Sequence, residues 1–446
     1  LSADADRWIP AATLRIGEAV RDPLGSAQPR RRELLLAGAL LAILALAIYM
    51  PHVIDGGWYV DDWIDVARLS EAGGLLDKYR AMKIDSYRPG LAMTFAVVYE
   101  IAGQTQSVYL LIGALLAAVQ GWLFYLVLRA LRLREVIAGT AAAILVVLPC
   151  IDATRLWFAA FPIQVAAVLY LAGALLALHG LALGGRRAIA WHAGAAALYF
   201  AAVLTYELVA GLIVVTSLLY LRRTDVRGAA RRLAADLSAV GLAFAIIAPR
   251  ASEDREATLT LGFLWDRAGQ TLEGAESVFR WLFPAHQVLG GTVGGVLLAI
   301  GMLGAGISIG RRDELGRAFA AWAWIAALAA VFGLAGLVML LPADAYFVPR
   351  ISGGGDRTGA FAAFGAVLLL MALIALAGGG LGVLMRRGRL GLYAAFGLIV
   401  LSGVNLGLRE LRSQDAWADS WRQQQDVLAA IDTALGGRVP ASAAIV

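Results

Sequence analysis

Four carboxylates, Asp55, Asp61, Asp62 and Asp65, fall within eleven residues of a chain that is otherwise poor in charge. They share the segment DGGWYVDDWID with Trp58, Tyr59 and Trp63. A carboxylate beside aromatic rings can act as a general base towards a hydroxyl that reaches it. Two neighbouring acids can instead hold a divalent metal ion or raise each other's pKa. The stretch runs on to SYRPG and carries Lys78, Arg80, Lys83 and Arg88. Arg and Lys donate charge-assisted hydrogen bonds to phosphate; contact with lipid headgroups is the competing use. Arg88 precedes Pro89, which restrains its backbone to an extended form.

Three later positions could join this chemistry. Asp152 and Arg155 lie in PCIDATRLW, where they serve a site or pair with each other. Glu207 sits in a run of apolar residues, where an ionised acid costs about 2.5–3.5 kcal/mol; such a group faces a cavity or a partner. The segment YFVPRISGGGDRTG sets Arg350, Asp356 and Arg357 around three glycines. Glycines let backbone N–H groups converge on an anion, and Arg357 could close such a site.

What must position these residues is a membrane-embedded bundle. The 446-residue chain is 60% hydrophobic and 16% charged, with a mean hydropathy of +0.73. Lipid has to be the solvent for most of that surface. The fold class expected is all-α and polytopic, with about eleven transmembrane helices. The spans are placed at 34–50, 108–128, 136–149, 161–183, two within 188–221 that meet at Tyr206 and Glu207, 233–248, 291–309, 318–341, one ending at Arg386, and 390–408. Residues 91–102, after Pro89, are apolar but too short to span, and are expected to lie in the interface. Residues 1–32 form a tail and 33–408 the membrane domain. Within that domain 51–106 and 249–290 are the large loops, and 409–446, with Trp417 and Trp421, is a second tail.

Arginine clusters come before span one and after spans two, four, six, eight and ten. An odd span count puts all of them on one side, which the positive-inside rule makes the cytoplasm. The acids, Glu207, the glycine loop and the C-terminal tail then lie outside. The expected location is the bacterial plasma (inner) membrane, with the N-terminus cytoplasmic. A lone cysteine, Cys150, excludes an internal disulfide. Helix-turn-helix, RNA-recognition and P-loop signatures are absent, so neither nucleic acid nor ATP is an expected partner.

In this order and on this side, the motifs resemble the polytopic GT-C glycosyltransferases, among them the protein O-mannosyltransferases and the membrane mannosyltransferases with tetratricopeptide repeats. The resemblance rests on the acidic pair Asp61 and Asp62 after span one, on Tyr87-Arg88-Pro89 before a short apolar helix, on LPCIDATRLW, on Thr205-Tyr206-Glu207, and on YFVPR followed by Asp356-Arg357. It covers most of residues 34–360. Tyr206 stands where a lysine is common in the family, and the C-terminal repeats are missing. The resemblance implies inverting transfer of a sugar from a polyprenyl-phosphate donor to a glycan, lipid or protein acceptor, at the extracytoplasmic face. It implies Asp61 as the base, with Asp62 and Asp55 as alternatives. Arg88, Lys83, Arg357 and Arg350 would bind the donor phosphate. Tyr87, Asp152, Arg155, Glu207, Trp58 and Trp63 would contact substrate. No cofactor is expected; a divalent metal held by Asp55, Asp61 and Asp62 is the less favoured option.

Two other function classes fit parts of the pattern. A transporter or flippase would place charge near the bilayer midplane and repeat its topology, whereas here the charges gather at the surfaces. A polymerase or ligase using a polyprenyl-diphosphate donor would place its large loop late in the chain, a role open to 249–290, whereas here an early loop carries the best motif.

Overall fold

The computed structural model describes residues 29–84, 87–251, 260–282, 314–342, 348–385 and 388–434. Among these the chain is all helix and turn. The helices in order are α1 (Arg31–Asp55), α2 (Asp62–Glu71), α3 (Leu75–Lys83), α4 (Pro89–Ala102), α5 (Gln106–Ala130), α6 (Glu135–Val146), α7 (Ala153–Leu156), α8 (Phe161–Gly180), α9 (Gly185–Thr205), α10 (Ala210–Val215), α11 (Ser217–Tyr220), α12 (Val226–Ala251), α13 (Leu261–Leu282), α14 (Glu314–Val338), α15 (Ala363–Leu384) and α16 (Gly388–Ala434). Short 3-10 turns precede α7, α8, α10 and α15.

Eight of these helices are long and apolar enough to cross a membrane: α1, α5, α8, α9, α12, α14, α15 and α16. The protein is an all-α, multi-pass membrane protein. Eight of the eleven expected spans are thus matched in length and composition. The third and sixth are shorter apolar helices, Glu135–Val146 and Glu207–Tyr220, and the eighth, 291–309, lies outside the described residues. The third stops early for a local reason. Pro149 holds Leu148 extended (φ −77°, ψ 111°), which ends the helix. The break after α9 falls at Tyr206, which is extended at φ −156°, ψ 107°.

Lipid offers no hydrophobic drive between helices, so close packing has to hold the bundle. The interfaces accordingly use small residues. On α14 and α15, a Cβ at Gly336 would meet the Ala362 and Phe361 backbone, and one at Gly365 the Gly333 and Ala329 backbone. On α15 and α16, Gly378 and Gly391 meet in the same way. Large apolar side chains such as Leu36, Leu40, Ile43, Leu242 and Leu401 point outward and are exposed, as a bilayer requires. Two polar side chains within the bundle share one partner: Tyr220 Oη donates to Asp236 Oδ2 at 2.7 Å, and Arg232 pairs with the same carboxylate.

Contacts sort the charged segments to two ends. At one end Arg129 Nε donates to Glu33 Oε1 at 2.7 Å, Arg223 donates to the Ala130 carbonyl, and Arg232 donates to the His192 carbonyl at 2.9 Å. The arginine clusters that follow α5 and α11 and the one that precedes α1 are therefore together. The segments around Tyr59, Arg88, Trp157, Glu207 and Asp356 lie at the other ends of these helices.

The last expected span and the C-terminal tail as far as Ala434 are one helix, 47 residues long, about 70 Å at 1.5 Å per residue. Its far half leans on the first loop. Trp417 packs edge-on to Tyr59 at 4.8 Å, Trp421 stacks on Trp63 at 5.7 Å, and Trp63 Nε1 donates to Gln424 Oε1 at 2.9 Å. Gly57 makes room for this contact: a Cβ there would overlap the Trp421 indole.

Candidate active site

The first loop is built around a tight turn. Val60 has φ +45°, a conformation that is strained for a β-branched residue. What holds it is Asp62. This side chain is fully buried; Oδ2 accepts the Tyr59 N–H at 3.0 Å and Oδ1 accepts the Ala159 N–H at 2.9 Å. Burial pushes its carboxyl well above the usual range, against the pull of those two N–H groups. On the other side of the turn the Tyr59 carbonyl accepts Trp157 Nε1 at 3.0 Å. The loop is thus pinned to the segment between α6 and α8 from both sides.

Asp61 lies between these pins and points the other way. It is exposed and heads α2, where its side chain makes no capping bond. Successive helical residues are turned by about 100°, so adjacent acids cannot share a face. Asp55 is also exposed, at the end of α1. Trp58 is buried against Tyr109 and Phe158, and Trp63 is partly exposed against Trp421.

We expect Asp62→Ala to act on stability. It leaves two buried N–H groups without acceptors, at about 1–3 kcal/mol each. Thermal unfolding in detergent should show a clearly lowered midpoint for this variant, while Asp61→Asn leaves the midpoint in place.

A second constellation joins α4 to the start of α10. Arg88 donates to Glu207 through Nε (to Oε2) and Nη2 (to Oε1), both at 2.5 Å. Tyr87 Oη donates to Glu207 Oε1 at 2.8 Å and accepts from Arg88 Nη2 at 2.7 Å. The guanidinium lies 4.4 Å from the Tyr206 ring centroid and 4.7 Å from that of Tyr87. Burial would lower the Arg88 pKa, but the Glu207 carboxylate outweighs it and holds the cation above its ordinary value. Tyr206 contributes a ring face to the cation. Gly90 lets α4 approach Thr205 closely, which sets this pair.

The third piece is the glycine loop. Gly353 takes φ +75°, open to glycine and costly for other residues. Gly354 lies against the Trp157 ring, and the Arg357 guanidinium sits 4.7 Å from the centroid of that ring. Arg350 is exposed. Phe361, just beyond, packs on Tyr206 at 6.2 Å and links this loop to the Arg88–Glu207 pair.

Asp152 and Arg155 do not pair with each other. α6 ends at Val146 and leaves carbonyls without helical partners. Arg155 answers them, donating to Val146 O at 2.8 Å, Leu148 O at 3.2 Å and Leu145 O at 2.5 Å, and to Tyr49 Oη. Asp152 instead accepts from Ser413 of α16 and faces Asp356. Burial, and then the neighbouring Asp152, raise the Asp356 carboxyl well above its usual range. Asp356 Oδ1 also accepts the Ala153 N–H at 3.3 Å. Both residues are fully buried.

Two lysines of the first loop part company as well. Lys78 is buried and pairs with Glu100 of α4 at 3.0 Å. Lys83 is half-buried, with its ammonium 5.5 Å from the Tyr79 ring centroid. Arg80 pairs with Asp77 at the surface. Among the described residues, no group of three or more His, Cys, Asp or Glu is arranged to hold a metal ion.

Sequence reasoning passed over Trp157, the residue that joins the first loop to the glycine loop. The signal was present: an indole two residues after an arginine, at the end of a span away from the arginine clusters. It also passed over Ser413, which is half-buried, and Glu410, which is fully buried; their positions on α16 follow from tertiary packing alone.

No protein-family model matches the chain, and no curated protein matches it. Among solved structures, the Archaeoglobus fulgidus oligosaccharyltransferase tethered with an acceptor peptide containing the NVT sequon aligns over 87% of this chain and 56% of its own, at 14% identity and a TM-score of 0.44. The archaeal oligosaccharyltransferase AglB from Archaeoglobus fulgidus, in complex with an inhibitory peptide and a dolichol-phosphate, aligns over 86% and 56%, at 14% identity and 0.44. The Archaeoglobus fulgidus oligosaccharyltransferase in complex with Zn and sulfate aligns over 84% and 53%, at 16% identity and 0.42. This chain spans little more than half the length of each.

Proposed function

We propose that this protein is an inverting glycosyltransferase of the GT-C type. It moves a sugar from a polyprenyl-phosphate-linked donor to an acceptor hydroxyl, at the membrane face opposite its arginine clusters. The observation that carries this reading is the strained turn at Val60. It is pinned on both sides and presents the exposed carboxylate of Asp61, which makes no capping bond. Strain maintained by its surroundings is concentrated at working sites.

In this mechanism Asp61 accepts the proton of the acceptor hydroxyl. The oxygen attacks the anomeric carbon from the face opposite the phosphate. The bond from that carbon to the phosphate oxygen breaks, and polyprenyl phosphate leaves with its electrons. Arg357, Arg350 and Lys83 supply positive charge where the leaving phosphate develops its own. Arg88 is largely committed to Glu207 and forms a rigid wall with Tyr87 and Tyr206. Asp62, Asp152 and Arg155 act by fixing the loops. The resemblance in motif order and sidedness supports the donor class, and a greasy bundle beside a polar surface suits a lipid-linked sugar.

The test uses the full chain in proteoliposomes with radiolabelled polyprenyl-phosphate sugars and mixed envelope acceptors. The expected result is labelled acceptor together with free polyprenyl phosphate. Donor that stays intact beside folded protein overturns the reading; if label also crosses the bilayer, transport takes its place.

A further inference from the structure

At the opposite end of the bundle lies a feature that this chemistry does not use. Among the described residues, a cavity of about 700 Å³, open mouth included, lies between α5, α8, α14 and α15. Its walls are hydrocarbon: Phe124, Tyr170, Phe332 and Phe364 contribute rings, and leucines fill the gaps. The Tyr170 hydroxyl is turned to Thr216 Oγ1 at 2.9 Å, so the cavity receives only its ring. Ordered water needs two to four polar partners, and these walls do not offer them. A polar substrate would find none either.

One charged residue lines the cavity, Arg222, in the turn after α11. It belongs to the arginine end. Arg223 beside it donates to the Ala130 carbonyl at the end of α5, and Arg129 is bonded to Glu33 there. The cavity therefore joins hydrocarbon walls inside the bundle to a cation at the arginine end, in the turn that follows α11. That pairing is the chemistry of an anionic lipid: one chain inside, one phosphate at the arginine.

We propose that this cavity holds one hydrocarbon chain of an anionic glycerophospholipid of the bilayer, with its phosphate at Arg222. The lipid fills the space between the α5–α8 and α14–α15 halves of the bundle. It is a resident of the fold, at the end away from Asp61, and it is not the sugar donor.

The test is native mass spectrometry of the full chain purified in mild detergent, with the retained lipid extracted and identified. Delipidated protein is then given phosphatidylglycerol or phosphatidylcholine. Wild type should retain one anionic glycerophospholipid and rebind phosphatidylglycerol in preference. Leu328→Trp, which fills the cavity, should lose it. Arg222→Gln should reduce the preference for phosphatidylglycerol by about fivefold, from roughly 1 kcal/mol per basic residue near an anionic headgroup. No retained lipid in the wild type, equal retention in Leu328→Trp, or a polyprenyl phosphate in the lipid's place would overturn the proposal. Should Leu328→Trp fail to fold, the Arg222→Gln preference decides: an unchanged preference sinks it.

Discussion

Asp61→Asn lowers sugar transfer from polyprenyl-phosphate donors by about 10²–10⁴-fold, the range that a positioned general base contributes. The variant keeps the volume and the fold, because the wild-type side chain makes no capping bond and is exposed. Only the proton acceptor is lost. The measurement is initial-rate transfer of labelled sugar at saturating donor, with wild type and variant matched in amount and in thermal midpoint. Donor affinity should change little, since the role proposed for Asp61 is at the acceptor and not at the phosphate. The neighbouring Asp62→Ala is the internal control: its loss of activity follows loss of folded protein, whereas that of Asp61→Asn does not. If Asp61→Asn transfers at the wild-type rate, the base is elsewhere on this surface, and Asp55 at the end of α1 is the next position to change.

The contrast between these two acids shows what could be read from the sequence. Composition and the placement of arginine were enough for an all-α membrane bundle, because lipid imposes both helix length and charge sidedness. The break at Tyr206 was legible because an acid interrupts an apolar run there. The cluster of acids was legible too, but not the division of labour within it. Asp62 became a structural acceptor only because α8 and its preceding turn bring the Ala159 N–H against it, across 97 residues of chain. Likewise Arg155 looked like a partner for Asp152. Its true partners are carbonyls set free by the end of α6, which Pro149 dictates, but which side chain would answer them is a tertiary question. The docking of Trp417 and Trp421 on the first loop is the longest-range case. Their spacing of four residues announces one helical face, and nothing local says that the face covers Gly57 and Trp63.

Glu207→Gln destabilises the protein by about 3–5 kcal/mol, because removing one partner leaves a buried charge uncompensated. The Arg88 and Glu207 side chains are only 16% and 10% exposed, and Arg88 Nε and Nη2 both donate to the carboxylate. Tyr87 would keep a hydrogen bond to the amide oxygen, but the guanidinium, held between two tyrosine rings, would lack its anion. Thermal unfolding in detergent should show the loss directly. The informative companion is Arg88→Met with Glu207→Leu. Replacing both members of a buried pair by apolar groups of similar size is often neutral or stabilising, so the double variant should recover most of the midpoint. It should not recover transfer, because the charged wall beside the site is gone. A double variant that regains both stability and transfer would reduce the pair to scaffolding. A Glu207→Gln protein with an unchanged midpoint would mean that Arg88 finds another anion, and that the loop before α4 and the apex after α9 are held together by packing between Gly90 and Thr205 instead of by charge.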